Sequence, residues 1–237
     1  MLAGTVALLT FATPVAAEAV AVDVELVLAV DVSASIDRNE LDLQRAGYTR
    51  ALTEPHVINA MLSGPLRRIA LTVVEWSQSQ RTTVGWTIID SPAAAHAFAA
   101  ALNAQPLPPG GLTSIRGAID FSVAQIEENA IEGTRRVIDI SADGRDWEED
   151  DAVLMAARQR ALDRGIAINA LAIRPQLEQG RLKGINFLGK YGLDGYLDAF
   201  VAGGPGSFTM VVENPTDFSQ ALARKLILEV SSLRTEW

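Results

Sequence analysis

Cysteine is absent from this 237-residue chain. Disulfides, zinc–thiolate centres and cysteine nucleophiles are therefore excluded. Histidine is nearly absent: His56 and His96 stand far apart and in no motif. That excludes a multi-histidine zinc site, and a Ser-His-Asp triad exists on paper only. Basic charge is in deficit, with Lys+Arg 20 against Asp+Glu 29 and a formal net charge of -9. Such a balance argues against nucleic acid and against an anionic membrane surface, and favours cations. No G-x-x-x-x-G-K-[ST] occurs, so a P-loop nucleotidase is excluded. Gly203 to Gly206 lacks both the G-x-G-x-x-G pattern and the preceding strand that a dinucleotide loop requires.

Long hydrophobic runs are also missing. Leu2 to Val15 is apolar and small, but too short and too weakly apolar for a membrane span. Val15-Ala16-Ala17 before Glu18 fits a small-x-small cleavage pattern. A basic n-region is missing, because residues 1–17 carry no charged side chain. The expectation is a signal peptide over residues 1–17 and a periplasmic or secreted mature chain over 18–237, with no membrane insertion after cleavage.

What is present is a core. Hydrophobic residues make up 49% of the chain, enough to bury a sizeable interior. Val22 to Val30 begins with alternation and then turns continuously apolar, the pattern of a central strand covered on both faces. Asp37, with Glu40 three residues on, has capping-box spacing for a helix to about Leu52. Val57 to Leu62 reads as a short helix. Arg68 to Trp76 and Thr82 to Ile89, joined by a short polar connection, read as an antiparallel hairpin. Ser91-Pro92 starts an Ala-rich helix to about Asn103. Ile115, Ala118, Ile119, Ser122, Val123 and Ile126 mark the buried face of the next.

Arg136 to Ser141 reads as a strand. The acidic run Asp146 to Asp151 opens a helix that ends at Arg164-Gly165. Ile166 to Ile173 is a buried strand, while Arg174 to Lys190 yields no assignment. Leu193 to Val201 reads as a helix and Ser207 to Glu213 as a strand. Asn214-Pro215 caps a last helix with Phe218, Leu222, Leu226, Val230 and Leu233 inward. The alternation predicts one α/β domain: a doubly wound, mostly parallel sheet with one antiparallel edge strand and helices on both faces.

In such sheets ligands bind outside the carboxyl ends of the strands. Three loops there carry oxygen groups: Asp31, Ser33 and Ser35 in one, Thr113 in the second, Asp143 in the third. No nitrogen or sulfur group joins them, and hard oxygen donors suit Mg2+ or Mn2+ rather than zinc or copper. Taken singly, each has a plainer reading. Asp31 could end a strand, Ser33, Ser35 or Thr113 could cap a helix, and Asp143-Gly144 could be a turn. Their coincidence at one sheet edge is the signal.

Asp31-Val32-Ser33-Ala34-Ser35, Gly110-Gly111-Leu112-Thr113-Ser114 and Ser141-Ala142-Asp143-Gly144 resemble the metal-ion-dependent adhesion site of von Willebrand factor type A domains. Val74-Glu75-Trp76, Thr113 to Ile119, Arg136-Val137-Ile138-Asp139 and Gly203-Gly204-Pro205-Gly206 resemble, more closely, a bacterial exported von Willebrand A-like family without an assigned function. The resemblance implies that Ser33, Ser35 and Thr113 coordinate Mg2+ or Mn2+ through hydroxyls. It implies that Asp31 and Asp143 act directly or through water. A partner protein's Asp or Glu would fill the last position. Ala142 before Asp143, and Arg145-Asp146-Trp147 after Gly144, depart from the usual third loop and place Trp147 at its rim. Phe200-Val201-Ala202 stands where relatives often carry a cysteine, so no disulfide transfers.

The functional expectation is a non-enzymatic, metal-dependent, adhesion-type protein-binding domain. Two rivals are a Mg2+-dependent hydrolase with Asp31 as nucleophile and a structural envelope protein with a vestigial metal site. Against the hydrolase, no second Asp lies two residues after Asp31 and no Lys or Arg is placed by motif to hold phosphate. Asp146, Glu148, Glu149, Asp150 and Asp151 read as a helix start before they read as a second cation site. Asp139, inside an apolar strand, requires a partner that the sequence does not name. Glu75, at a strand end, reads as half of a sheet-edge salt bridge before it reads as reaching the site, and Trp76, Trp86 and Trp147 read as packing rather than recognition.

Overall fold

The structure, a computed structural model, describes residues 19–108, 110–148, 150–173, 192–213 and 217–231. The expected signal peptide, the unassigned stretch from Arg174 to Lys190, the Asn214-Pro215 cap and Leu233 lie outside those residues. The elements are β1 (Val20–Asp31), α1 (Arg38–Thr53), α2 (Pro55–Met61), β2 (Ile69–Trp76), β3 (Gln80–Ile89), α3 (Pro92–Asn103), α4 (Ile115–Glu127), β4 (Ile131–Ala142), α5 (Asp151–Leu162), β5 (Ile166–Ile173), α6 (Gly192–Phe200), β6 (Thr209–Val212) and α7 (Phe218–Val230).

The six strands lie in the order β3-β2-β1-β4-β5-β6. All neighbours are parallel except β2 and β3, whose antiparallel pairing puts β3 at an edge. This is the expected doubly wound sheet. Its apolar runs follow from burial on both faces. Along β1, Leu26, Leu28 and Val30 face one core, built with Tyr48, Leu52, Phe98, Leu222 and Leu226 from α1, α3 and α7. Val27 and Ala29 face the other, built with Ile115, Ile119, Leu154 and Leu197 from α4, α5 and α6. A one-residue slip of β1 would exchange its two faces, so its register is strongly fixed.

The chain leaves β1 toward α1 in the first layer and leaves β4 toward α5 in the second. The two loops diverge between adjacent strands. This is the topological switch point of a doubly wound sheet, where a crevice opens at the carboxyl edge. Val30 stands opposite Ser141 there.

Two differences from the sequence reading have physical causes. First, β4 begins at Ile131, five residues before the expected Arg136. Its first half pairs with Val20 to Val24 and alternates exposed Glu132 and Thr134 with half-buried neighbours, so no apolar run announces it. Second, α5 starts at Asp151 with Asp150 as its cap, not at Asp146.

The open edge of β5 is covered in two pieces. Ile168 exchanges two hydrogen bonds with Gly203, at 2.8 and 3.0 Å. Ala170 N–H donates to the Phe208 carbonyl at 3.0 Å, and β6 pairs from Ala170 to Ile173.

The partner of Asp139 is Lys225 of α7. The lysine Nζ donates to Asp139 Oδ1 and to Glu229 one turn on, with all three side chains fully buried. Asn169 of β5 donates to Glu229 Oε1 at 3.1 Å, and the Phe208 ring lies 5.3 Å from the ammonium. Burial pulls a lysine toward neutrality, but the charges of Asp139 and Glu229 outweigh it and the Lys225 pKa is raised. Burial and the Asp139 charge push the Glu229 carboxyl up to about 8.

Candidate metal centre

Asp31 is the last residue of β1 and is fully buried. Its Oδ1 accepts from Ser33 N–H at 2.8 Å, and the Asp143 N–H approaches Oδ2 at 3.4 Å. Its backbone is held as well. Asp31 N–H donates to Ser141 Oγ at 3.3 Å, and the Asp31 carbonyl accepts from Gln44 Nε2 of α1 at 3.2 Å. The hydroxyls of Ser33 and Ser35 lie 2.9 Å apart, and Ser35 Oγ donates to Asp143 Oδ1 at 2.7 Å. Two carboxylates and two hydroxyls from two loops therefore close on one another. Exposure rises outward from buried Asp31 and Ser33, through half-buried Asp143, to exposed Ser35.

The plainer readings of these hydroxyls can now be decided. Asp37 caps α1, accepting from Asn39 N–H at 2.8 Å and Glu40 N–H at 2.9 Å, while Glu40 returns the bond to Asp37 N–H. Ser33 and Ser35 are thus free of capping duty. At α4 the N-cap residue Ser114 makes no side-chain cap bond. The first turn is capped from a distance instead, by Asp146 Oδ2 accepting from Arg116 N–H at 2.9 Å. Neither Thr113 nor Ser114 is consumed there. Asp146, read from the sequence as the opening of α5, serves α4 across 30 residues.

The loop that carries Thr113 is held against the other two by backbone bonds. The Gly111 carbonyl accepts from Ala34 N–H at 2.8 Å, and the Thr113 carbonyl accepts from Trp147 N–H at 2.8 Å. The second loop is thereby stitched to the first and the third. Gly110 permits the approach, because a Cβ there would stand 2.9 Å from Ala34 Cα. Among the described residues the Thr113 hydroxyl hydrogen-bonds none of the other four candidate residues. Trp147, expected in packing, is instead 46% exposed at the rim, with Leu112 at 49%. Trp76 is buried, and Trp86 packs with its indole N–H on the Gln125 carbonyl at 3.0 Å.

Electrostatically the pair of acids is unfinished. Burial, and then the charge of Asp143, push the Asp31 carboxyl up to about 8, against the pull of Ser33 N–H. Asp143 is raised too, chiefly by burial and partly by Glu40, against the Ser35 hydroxyl. No group of three or more His, Cys, Asp or Glu side chains suited to a metal occurs among the described residues. This pair must draw on hydroxyls instead. Two carboxylates with neutral oxygen donors around them suit a hard dication and supply too few oxygens to close its shell.

Glu75 was expected in a sheet-edge pair. It lies on β2, inside the sheet, bound by Arg45 of α1 and Arg81 of β3. Sequence reasoning missed these partners, and Gln44, Ser141 and Asp146, because each pairing spans two or more elements. The Gly110-Gly111 pair was the only local signal of close approach.

Solved structures with this fold carry von Willebrand A domains. The von Willebrand domain of the type V pilus tip protein Mfa5 from Porphyromonas gingivalis matches at 12% identity and TM-score 0.57, covering 92% of this chain and 99% of that one. The pilus adhesin SpaC from Lactobacillus rhamnosus GG, in its open conformation, matches at 14% identity and TM-score 0.61, covering 87% of this chain. This chain corresponds to only 30% of that adhesin. Proximal thread matrix protein 1 of the mussel byssus, with a zinc-occupied MIDAS motif, matches at 15% identity and TM-score 0.55, covering 86% of this chain and 46% of its own. At these identities the likeness is one of fold. No curated protein matches the chain. The sheet order, the antiparallel edge and these neighbours make the fold von Willebrand A-like. The model of the family described as "Protein of unknown function (DUF1194)" matches residues 21–234, and the chain belongs to that family.

Proposed function

We propose that this chain is an exported, metal-ion-dependent protein-binding domain of adhesion type. Asp31, Ser33, Ser35, Thr113 and Asp143 would hold Mg2+ or Mn2+, and a partner's Asp or Glu carboxylate would complete the site. The observation that carries the reading is the convergence of Asp31 and Asp143 with the Ser33 and Ser35 hydroxyls at the switch point. When bound, a hard dication supplies a Lewis-acidic centre with an open coordination position. The chain supplies the rest. Buried Asp31 and Ser33 form the floor, and Asp143 and Ser35 stand toward solvent where a partner arrives. Trp147 and Leu112 offer apolar contact beside it. Export accords with neighbours from pili and byssus, whose own roles are theirs.

The test is a melting scan of wild type and Asp31→Ala in EDTA, then in excess Mg2+ or Mn2+. At a metal concentration of roughly 100 Kd, wild type gains roughly 5–10 °C and the variant gains nothing. Envelope-extract capture by wild type is metal-dependent and is lost in Ser33→Ala. Capture that is equal with and without metal would sink the adhesion reading.

A further inference from the structure

The metal-site reading leaves one position unexplained. Asp31, Ser33, Ser35 and Asp143 hold one another through side chains, whereas Thr113 is placed by its loop alone. Something must fix the segment that leaves α3 and runs to Gly110-Gly111.

That segment is gripped by a single carboxylate acting through two arginines. Glu75, 2% exposed at its side chain, stands at the carboxyl end of β2. Its Oε1 accepts from Arg45 Nη2, and its Oε2 accepts from Arg81 Nε at 3.1 Å and Nη2 at 2.6 Å. Each guanidinium has donors to spare. Arg45 Nη1 donates to the carbonyls of Leu102 at 3.1 Å and Gln105 at 2.7 Å. Arg81 Nη2 donates to the Pro106 carbonyl at 3.0 Å. The next residue, Leu107, packs on Val32, Ile36 and Leu41, beside the Asp31 loop. Further along, Gly111 is bonded to Ala34. A flexible pair of cations could not hold three carbonyls in place. Fixed by one buried carboxylate, they can.

We propose that Glu75, through Arg45 and Arg81, is a positioning residue for the Thr113 hydroxyl in the metal site; this rests on the reading given above. Glu75 does not touch the ion. It sets where the second loop enters the site, and its contribution to metal affinity runs through Thr113.

The probe is Mn2+, titrated calorimetrically into the full chain. Thr113→Ala, Glu75→Gln and Arg81→Met each weaken Mn2+ binding roughly 10-fold, the scale seen when a residue behind a ligand is removed. On the Thr113→Ala background, Glu75→Gln and Arg81→Met add less than about 2-fold, because the group they position is gone. A purely structural role would lower melting temperature and leave this coupling at zero. Arg50→Met, on the exposed face of α1, leaves affinity unchanged. Arg81 is 44% exposed, so its variant carries the cycle if Glu75→Gln fails to fold. Losses that multiply, or variants that keep wild-type affinity while wild type binds, overturn the positioning role alone. A wild-type chain that binds no Mn2+ overturns the metal-site reading itself.

Discussion

β4 and the loop that follows it carry Asp139 and Asp143, four residues apart, and the fold treats these carboxylates in opposite ways. Asp139 meets a second acid, Glu229, and a lysine placed between them, all fully buried. Asp143 meets a second acid, Asp31, and hydroxyls. In the interior the fold supplies a cation of its own. With Glu229 holding a proton at neutral pH, one ammonium there faces one carboxylate. At the sheet edge the hydroxyls of Ser33 and Ser35 satisfy hydrogen bonds but bring no positive charge. The first cluster carries its own cation and fastens α7 to the sheet. The second is incomplete, and its need for a cation is what makes it a candidate for binding. Charge balance, more than burial, separates the two.

The comparison breaks most sharply at Lys225. Lys225→Met strands Asp139 without its cation, and the expected loss is about 3–5 kcal/mol of unfolding free energy by denaturant titration. Mg2+ or Mn2+ does not restore it. Next comes the carboxylate at the edge. Asp31→Asn removes one of two repelling acids, so in EDTA its stability stays within about 1 kcal/mol of wild type. Its metal-induced melting shift disappears. Equal losses from the two variants would erase the distinction between the clusters.

The pH dependence sharpens the same contrast. Asp31 and Glu229 are both raised to about 8, so between the ordinary carboxylate range and about 8 the folded chain holds protons that the unfolded chain has released. The share of stability that these two protons contribute in EDTA is therefore fully present at acid pH and is lost as pH rises through about 8. Melting midpoints from about pH 5 to about pH 8.5 should fall in wild type and fall less in Asp31→Asn or Glu229→Gln. Excess Mg2+ should remove the Asp31 share and leave the Glu229 share. The smallest effect lies behind the site. Asp146→Ala uncaps α4, at about 1 kcal/mol, with a weaker metal response because Thr113 precedes that turn.

Much of this was legible in the chain. The run from Leu26 to Val30 announced a strand covered twice, and the polar connection from Ser77 to Arg81 announced the hairpin that sets β3 at the edge. The helical spacing of Ile115, Ile119 and Ile126 named the buried face of α4. Asp31, Ser33, Ser35 and Asp143 converge because strand ends converge, which topology alone implies. Other features left no local trace. Lys225 reads as an ordinary polar residue of an amphipathic helix, and its partner is 86 residues away. Asp146 sits in an acidic run that looks like the start of its own helix, and only the packed structure aims it at α4. The first half of β4 borrows its order from β1 rather than from its own apolar content.

The six-stranded sheet has two rims, and an unpaired rim is a template for another chain. On the β5 side, Gly203 and Phe208 cap the lower part of the strand and a strand of only four residues covers the upper. On the other side, β3 pairs with β2 through register irregularities between Leu71 and Val74. Among the described residues one rim is stubby and the other is kinked, and neither offers the long, flat ladder on which fibrils grow. Joining of copies through their sheet edges is thus discouraged at both flanks.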